Sequence, residues 1–492
     1  MAGAVPDGFI ALQRFGLGAR PGDLDAVKSD PRGAVLAEID PAIVMLDDPS
    51  LPDTERALQT IRTIQMDRKA NKAAAEPAPE APSSEDSPMA DSGDAGPAMS
   101  DVDPGNKGKG KKKKQRQANS EDPMKPGNPI AQELAARLVH AADMQIGFAE
   151  RWAMFWTNHF AIEADSNQLV RWAAGAYDRE AIRPHVFGRF ENILFAATQH
   201  PAMLRYLNNA TSIGPDSKQG KKNGRGLNEN HARELMELHT IGVDAGYTQA
   251  DVTSFAKVLT GWTFGQNPDQ PKRFAKFFFN PNTHEPGSET ILGRHYDQRD
   301  VEQGNAVLMM LASHPATATH ISTKLVHAFV ADTPPPELVA ALAKTFTETD
   351  GDLGEVAKAL VKADASWTAP MQKVRLPQEY LLAASRALSV TPKPPQLVKA
   401  LATLGQPLFN PPSPEGFHDD AATWLAPDAM TNRLDIAQNF AQQADSSADA
   451  RDVAEAVLSD AQSPQTREAI ARAEGPVQGL TILLMSPEFQ RR

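Results

Sequence analysis

The chain reads as an all-α protein, a multi-helix orthogonal array, with one small β-hairpin near residues 272–294. Three observations predict this. Apolar residues recur three and four positions apart, as in Leu134, Leu138, Ala142, Ile146, Ala149 and Ala153. Prolines such as Pro129, Pro184, Pro201, Pro334, Pro377 and Pro411 fall at segment boundaries, where a helix tolerates or requires them. One stretch alone has strand composition: Phe274 and Phe277-Phe278-Phe279, then Thr290-Ile291-Leu292-Gly293, separated by a long loop that carries His284 and Glu285.

In chain order, residues 8–20 form a short apolar segment closed by Gly16-Leu17-Gly18. That glycine pair lacks the strand–loop–helix setting of a phosphate loop. Helices are expected at 23–30 and at 53–70, each opened by an aspartate. Residues 1–70 are read as N-terminal helices packed on a main body. From 71 to 127 the chain turns acidic and proline-rich, then lysine-rich (Lys107–Arg116), and is expected to be disordered. The main helical domain spans 128–492. It opens with one or two long helices over 131–160 that end in the aromatic Phe155-Trp156-Thr157-Asn158-His159-Phe160.

Further helices follow to residue 207, and the polar loop 208–226 is of the kind that lines pockets. Next comes a strongly polar helix over 228–240, in which Asn230, Arg233, Glu234 and Glu237 share a face. Leu235 and Leu238 can turn to the core, with Met236 beside them. Thr248 and Asp251 form a capping-box variant ahead of a helix over 249–260. Eleven helices fill 299–485, interrupted by the rigid Gly405–Phe417 loop.

Bulk composition bounds the function. A formal charge of -12 argues against general affinity for nucleic acid or anionic lipid. With 0 cysteines, disulfides, thiolate metal sites and thiol nucleophiles are excluded. No apolar run is long enough to span a membrane, and residues 1–16 lack a secretory signal pattern.

Several stretches together resemble the large bacterial family of unknown function catalogued as DUF1800. They are 155–160, 228–252, Leu259-Thr260-Gly261-Trp262, 322–335, 351–361 and 404–417. The resemblance runs from about residue 9 to 488, apart from the 71–125 insert. It implies no settled activity. It implies export or a periplasmic location, with the cytoplasm left open, and a neighbouring-gene partner related to phosphatases and sulfatases. It groups Asn228, Glu229, Asn230, Arg233, Glu234, Glu237, Gly261, Trp262, His284, Lys324 and the 405–417 loop as one constellation. His284-Glu285-Pro286-Gly287 departs from the family's His-Asp-x-Gly by one methylene, and His231 stands where the family has an aromatic residue.

Three readings of this constellation are open. In the first, paired carboxylates hydrolyse a glycosidic bond of a polysaccharide or other envelope polymer. The catalytic set is Glu234, Glu237, His284 and Glu229, with Glu285 as an alternative partner carboxylate. Substrate is held by Asn158, His159, Asn228, Asn230, Arg233, Lys324 and Trp262, with Trp262 or Trp156 as a sugar platform. In the second, a divalent cation sits among His159, His284, Glu234 and Glu237, although Arg233 opposes it; no other cofactor is called for. In the third, the protein is a non-enzymatic binding or assembly component of an export or envelope system.

Overall fold

The computed structural model describes residues 5–75, 129–223 and 226–492. Most of the 71–127 insert lies outside these residues. Its first five positions extend the helix Thr54–Ala75. The described residues hold 26 α-helices and two small two-stranded antiparallel sheets, so the chain is all-α.

The helix Phe148–His159 organises the core. Trp152 and Trp156 have no exposed surface. Trp152 stacks on Phe187 at 6.1 Å and tilts against Phe148 and Phe329, while Trp156 meets Phe190. The periodic 131–160 segment divides into Pro129–Asp143 and Phe148–His159 because Gly147 adopts φ 87° between them. A side chain there would also collide with Leu17.

Glu38 caps the second of these helices from a distant part of the chain. Its carboxylate accepts the backbone N–H groups of Ile146 (2.7 Å), Gly147 (3.1 Å), Phe148 (2.6 Å) and Ala149 (3.3 Å). These include donors that a helix start leaves unpaired, and the negative charge faces the positive end of the helix dipole. Glu38→Gln is expected to cost about 2 kcal/mol, because an amide brings one acceptor oxygen and no charge. A urea midpoint equal to wild type would disprove this role.

The expected hairpin between 274–279 and 290–293 does not form. Strand β1 (Trp262–Phe264) pairs with β2 (Phe277–Phe279), Trp262 opposite Phe279. Strand β3 (Glu289–Ile291) folds back on β4 (Arg294–Tyr296) through Leu292 and Gly293, both at positive φ. The physical reason lies in the 280–287 loop, whose polar groups are used elsewhere. Gly214 N–H donates to Thr283 O at 2.9 Å, and Asp216 N–H donates to the Glu285 carboxylate at 2.8 Å. Docked on the 208–220 segment, this loop carries the chain away from β2.

Candidate functional site

The polar helix begins as an α-helix at Asn230–Glu234 and widens to a π-helix at Leu235–His239. Asn228 starts it: its side-chain oxygen accepts the Asn230 N–H at 3.0 Å, and its own N–H donates to Ser212 Oγ. Asn230 is exposed. Leu235 and Met236 are buried, and Leu238 is half-buried.

Along the outer face, Arg233 bridges Glu229 and Glu237, each at 3.3 Å. Gln249 accepts from Arg233 and donates to Glu229, and Thr253 Oγ1 donates to Glu229 at 2.7 Å. These bonds, the Thr253 hydroxyl first, hold the Glu229 carboxyl below its usual range. Tyr247 Oη donates to Glu237 at 2.6 Å. Glu234 stands apart. It is half-buried, its carboxyl has no hydrogen bond or ion pair among the described residues, and it is pushed up by burial and then by Glu237, against an opposing pull from Arg233.

Behind this face lies a histidine cluster. His159 is fully buried and donates from Nε2 to His239 O at 3.1 Å. His320 Nε2 donates to Leu238 O at 3.1 Å. Burial drives His159 and His239 well below the ordinary imidazole value and brings His320 to about 4. Lys324 borders the cluster, half-buried, its amine without a hydrogen bond or ion pair among the described residues; burial lowers that amine to about 8, against an opposing pull from Glu415. Asn158 joins the helix Phe148–His159 to the 405–417 loop, exchanging two hydrogen bonds with the Phe417 backbone at 2.9 and 2.8 Å.

The proposed constellation therefore divides. Arg233, Glu229, Glu237 and Glu234 share one helix face, while His159, Lys324 and Asn158 lie around the end of the Phe148–His159 helix. His284 sits elsewhere: its Nδ1 donates to Thr260 O at 2.8 Å and its ring abuts Phe279. No hydrogen bond or ion pair joins it to Glu229, Glu234 or Glu237. Trp262 and Trp156 present no sugar platform, because both indoles are fully buried. Trp262 packs so closely beneath Gly304 that an added Cβ would lie 2.4 Å from its ring. Glu285 is buried and occupied by the Asp216 N–H. Residues 210–213 and Gln219 line a cavity of about 210 Å³ together with Gly261, Trp262, Thr263, Asn280 and Thr283.

The cation set His159, His284, Glu234 and Glu237 does not converge. Among the described residues, no group of three or more His, Asp or Glu is placed to hold a metal ion. No helix among them is long and apolar enough to cross a membrane.

Some participants were missed from sequence. Tyr247, Gln249 and Thr253 follow the polar helix closely enough that turn geometry could have brought them back to it. Glu163 and Tyr206 gave no such signal. Both feel their neighbours: Glu163 is raised by burial and Asp165, and Tyr206 by burial, Glu163 and Glu234.

A comparison with family models matches residues 10–491 to DUF1800, described as a protein of unknown function. The chain belongs to the DUF1800 family. No curated protein and no solved structure matches it. In this DUF1800 protein, as in any fold, function resides in the geometry and chemistry of particular side chains.

Proposed function

We propose that this DUF1800 protein is a hydrolase that cleaves glycosidic or similar acetal bonds in a polysaccharide or other envelope polymer. Glu234 is the general acid and Glu237 the partner carboxylate. The observation that carries the reading is the contrast between their surroundings. Glu234 is raised by burial with no hydrogen bond to hold its charge, whereas Glu237 is fixed by Arg233 and Tyr247. Two carboxyls in divergent environments are how acid and base roles are divided. The two carboxyls are near enough for Glu237 to raise Glu234, as the paired carboxyls of glycosidases, roughly 5–9.5 Å apart, must be. Side-chain exposures of 34% for Arg233, 31% for Glu229 and 21% for Glu237 leave the face open to a polymer chain.

Release of reducing ends from a panel of neutral and acidic polysaccharides tests this. Glu234→Gln is expected to lower the rate by about 100-fold or more while leaving the fold intact, since no internal hydrogen bond depends on the carboxyl. A Glu234→Gln protein as active as wild type, or a panel without any substrate, removes the assignment. The non-enzymatic alternative draws on Glu229, whose oxygens are taken up by Thr253, Gln249 and Arg233. An interlocked lattice of that kind suits a rigid docking face. It becomes the better reading if Glu229→Gln weakens capture of a polymer that is never cleaved.

A further inference from the structure

A second region carries chemistry that the Glu234 reading does not use. Between the helix Phe148–His159 and the 405–417 loop lies a cavity of about 80 Å³. Phe155, Phe409 and Phe417 contribute to its walls, and Arg137, Arg151 and Arg492 line it together with the carboxylates Glu379 and Asp419. Arg151 and Arg137 are 3% and 2% exposed, yet their valences are incomplete. Arg151 gives Nε to Glu379 at 2.9 Å and Nη2 to Ala328 O, and its Nη1 has no partner. Arg137 pairs with Asp178 and Glu150 through its terminal nitrogens, while its Nε has no partner among the described residues and its guanidinium lies over the Phe409 ring at 4.8 Å.

The surroundings hold an excess of positive charge. Arg492 engages Glu379 at 2.7 Å and Asp419 at 3.0 Å, and Lys373 engages Asp419 and Asp332. Nearby, Arg375 has no ion pair among the described residues: its Nε donates to Phe489 O and both terminal nitrogens lack partners there. Arg433 rests on Gln490 and the Arg375 carbonyl. Among the described residues, five cationic side chains (Arg151, Arg375, Arg433, Arg492 and Lys373) thus share three side-chain carboxylates, the buried Glu379 and Asp419 and the partly exposed Asp332. Arg375 is lowered to about 9, by burial and then by Arg151, Arg492 and Arg386 against the opposing pull of Glu379. Burying unmatched charge is costly, and an interior of this kind gains free energy from a counter-anion.

We propose that this cavity binds a small oxyanion, a phosphate, sulfate or carboxylate group, held by Arg151 and Arg137 and walled by Phe155 and Phe417. The volume exceeds the roughly 10–15 Å³ that a single water needs and leaves room for a tetrahedral or carboxylate group. Planar guanidinium forks suit such oxygens. The site stands independently of Glu234: it uses different residues and needs no bond cleavage.

The test is a titration of the full chain with sodium phosphate, sodium sulfate or sodium acetate, each against sodium chloride at matched ionic strength, read by thermal midpoint and calorimetry. Saturable stabilisation by at least one oxyanion, and not by chloride, is expected. Preference for phosphate and sulfate over acetate, or the reverse, tells a tetrahedral ligand from a carboxylate. Ala161→Leu, which places carbon in the cavity, is expected to weaken that binding by about tenfold or more. Equal stabilisation by chloride overturns the proposal, as does wild-type affinity in a folded Ala161→Leu protein. If Ala161→Leu does not fold, the salt-matched comparison on the wild-type chain decides alone.

Discussion

Acidification from about pH 7 to about pH 5 is expected to remove on the order of 5 kcal/mol of stability, most of it through buried histidines. His231 shows the cause most simply. It is fully buried, neither ring nitrogen has a partner, and burial alone lowers it to about 3. His320 falls to about 4, and His159 and His239 lie well below the ordinary value. The unfolded chain takes up protons at these positions as pH drops through about 6.5, and the native state does not. Their stabilisation is therefore complete above the unfolded value and is lost progressively from there down to the folded one. His231 and His320 each contribute a loss of about 2 kcal/mol by about pH 5, and His159 and His239 add to it in the same direction. Carboxylates held low, such as Asp178 and Glu379 at about 2, lose their contribution only as pH falls below about 4. The two groups therefore act in separate windows.

Denaturant midpoints measured in half-unit steps of pH test this. A flat profile between about pH 7 and about pH 5 would rule it out. His231→Phe supplies the residue-level check. It sacrifices no hydrogen bond, keeps an aromatic ring in an apolar setting, and removes one proton from the linkage. Relative to wild type, it should gain about 2 kcal/mol more at about pH 5 than at about pH 7.

The same histidine marks how far the sequence could be read. Helix spacing, proline punctuation and the capping box at Thr248 were legible because each depends on residues close in the chain. The Arg233 ladder was legible for that reason too. Strand pairing was not. Whether β2 meets β1 or the Thr290 segment depends on where the 280–287 loop docks, and its partners at Gly214 and Asp216 are some 70 positions away. The burial of Trp262 was equally hidden, because an aromatic beside Gly261 reads the same as platform or as core until Gly304 covers it. Clusters built on long-range ion pairs, such as Glu379 with Arg151 and Arg492, leave no local pattern.

Arg183→Met is expected to destabilise the chain by about 3–5 kcal/mol, the largest effect of any single substitution considered, because it breaks a buried charge quartet while nearly preserving volume. Arg183 has no exposed side-chain surface. Its Nη1 and Nη2 meet the Glu150 oxygens at 2.7 Å each, its Nε meets Asp178 at 2.6 Å, and Nη1 also donates to Val44 O. Arg137 completes the group against Asp178 and Glu150. Burial works against the charge on Arg183, yet Glu150 and Asp178 hold it firmly protonated. Removing Arg183 leaves two carboxylates, both without exposed side-chain surface, with Arg137 as their one remaining guanidinium, the Thr157 hydroxyl on Asp178 and His140 at 3.9 Å from Glu150. The penalty comes from the charge left behind, not from the attraction lost. A second substitution should therefore recover much of it: Arg183→Met combined with Glu150→Leu is expected to be more stable than Arg183→Met alone. Urea unfolding of the single and double variants measures this directly. A single variant within about 1 kcal/mol of wild type, or a double variant less stable than the single, would show that the quartet is not what fixes Val44 and its helix to the body.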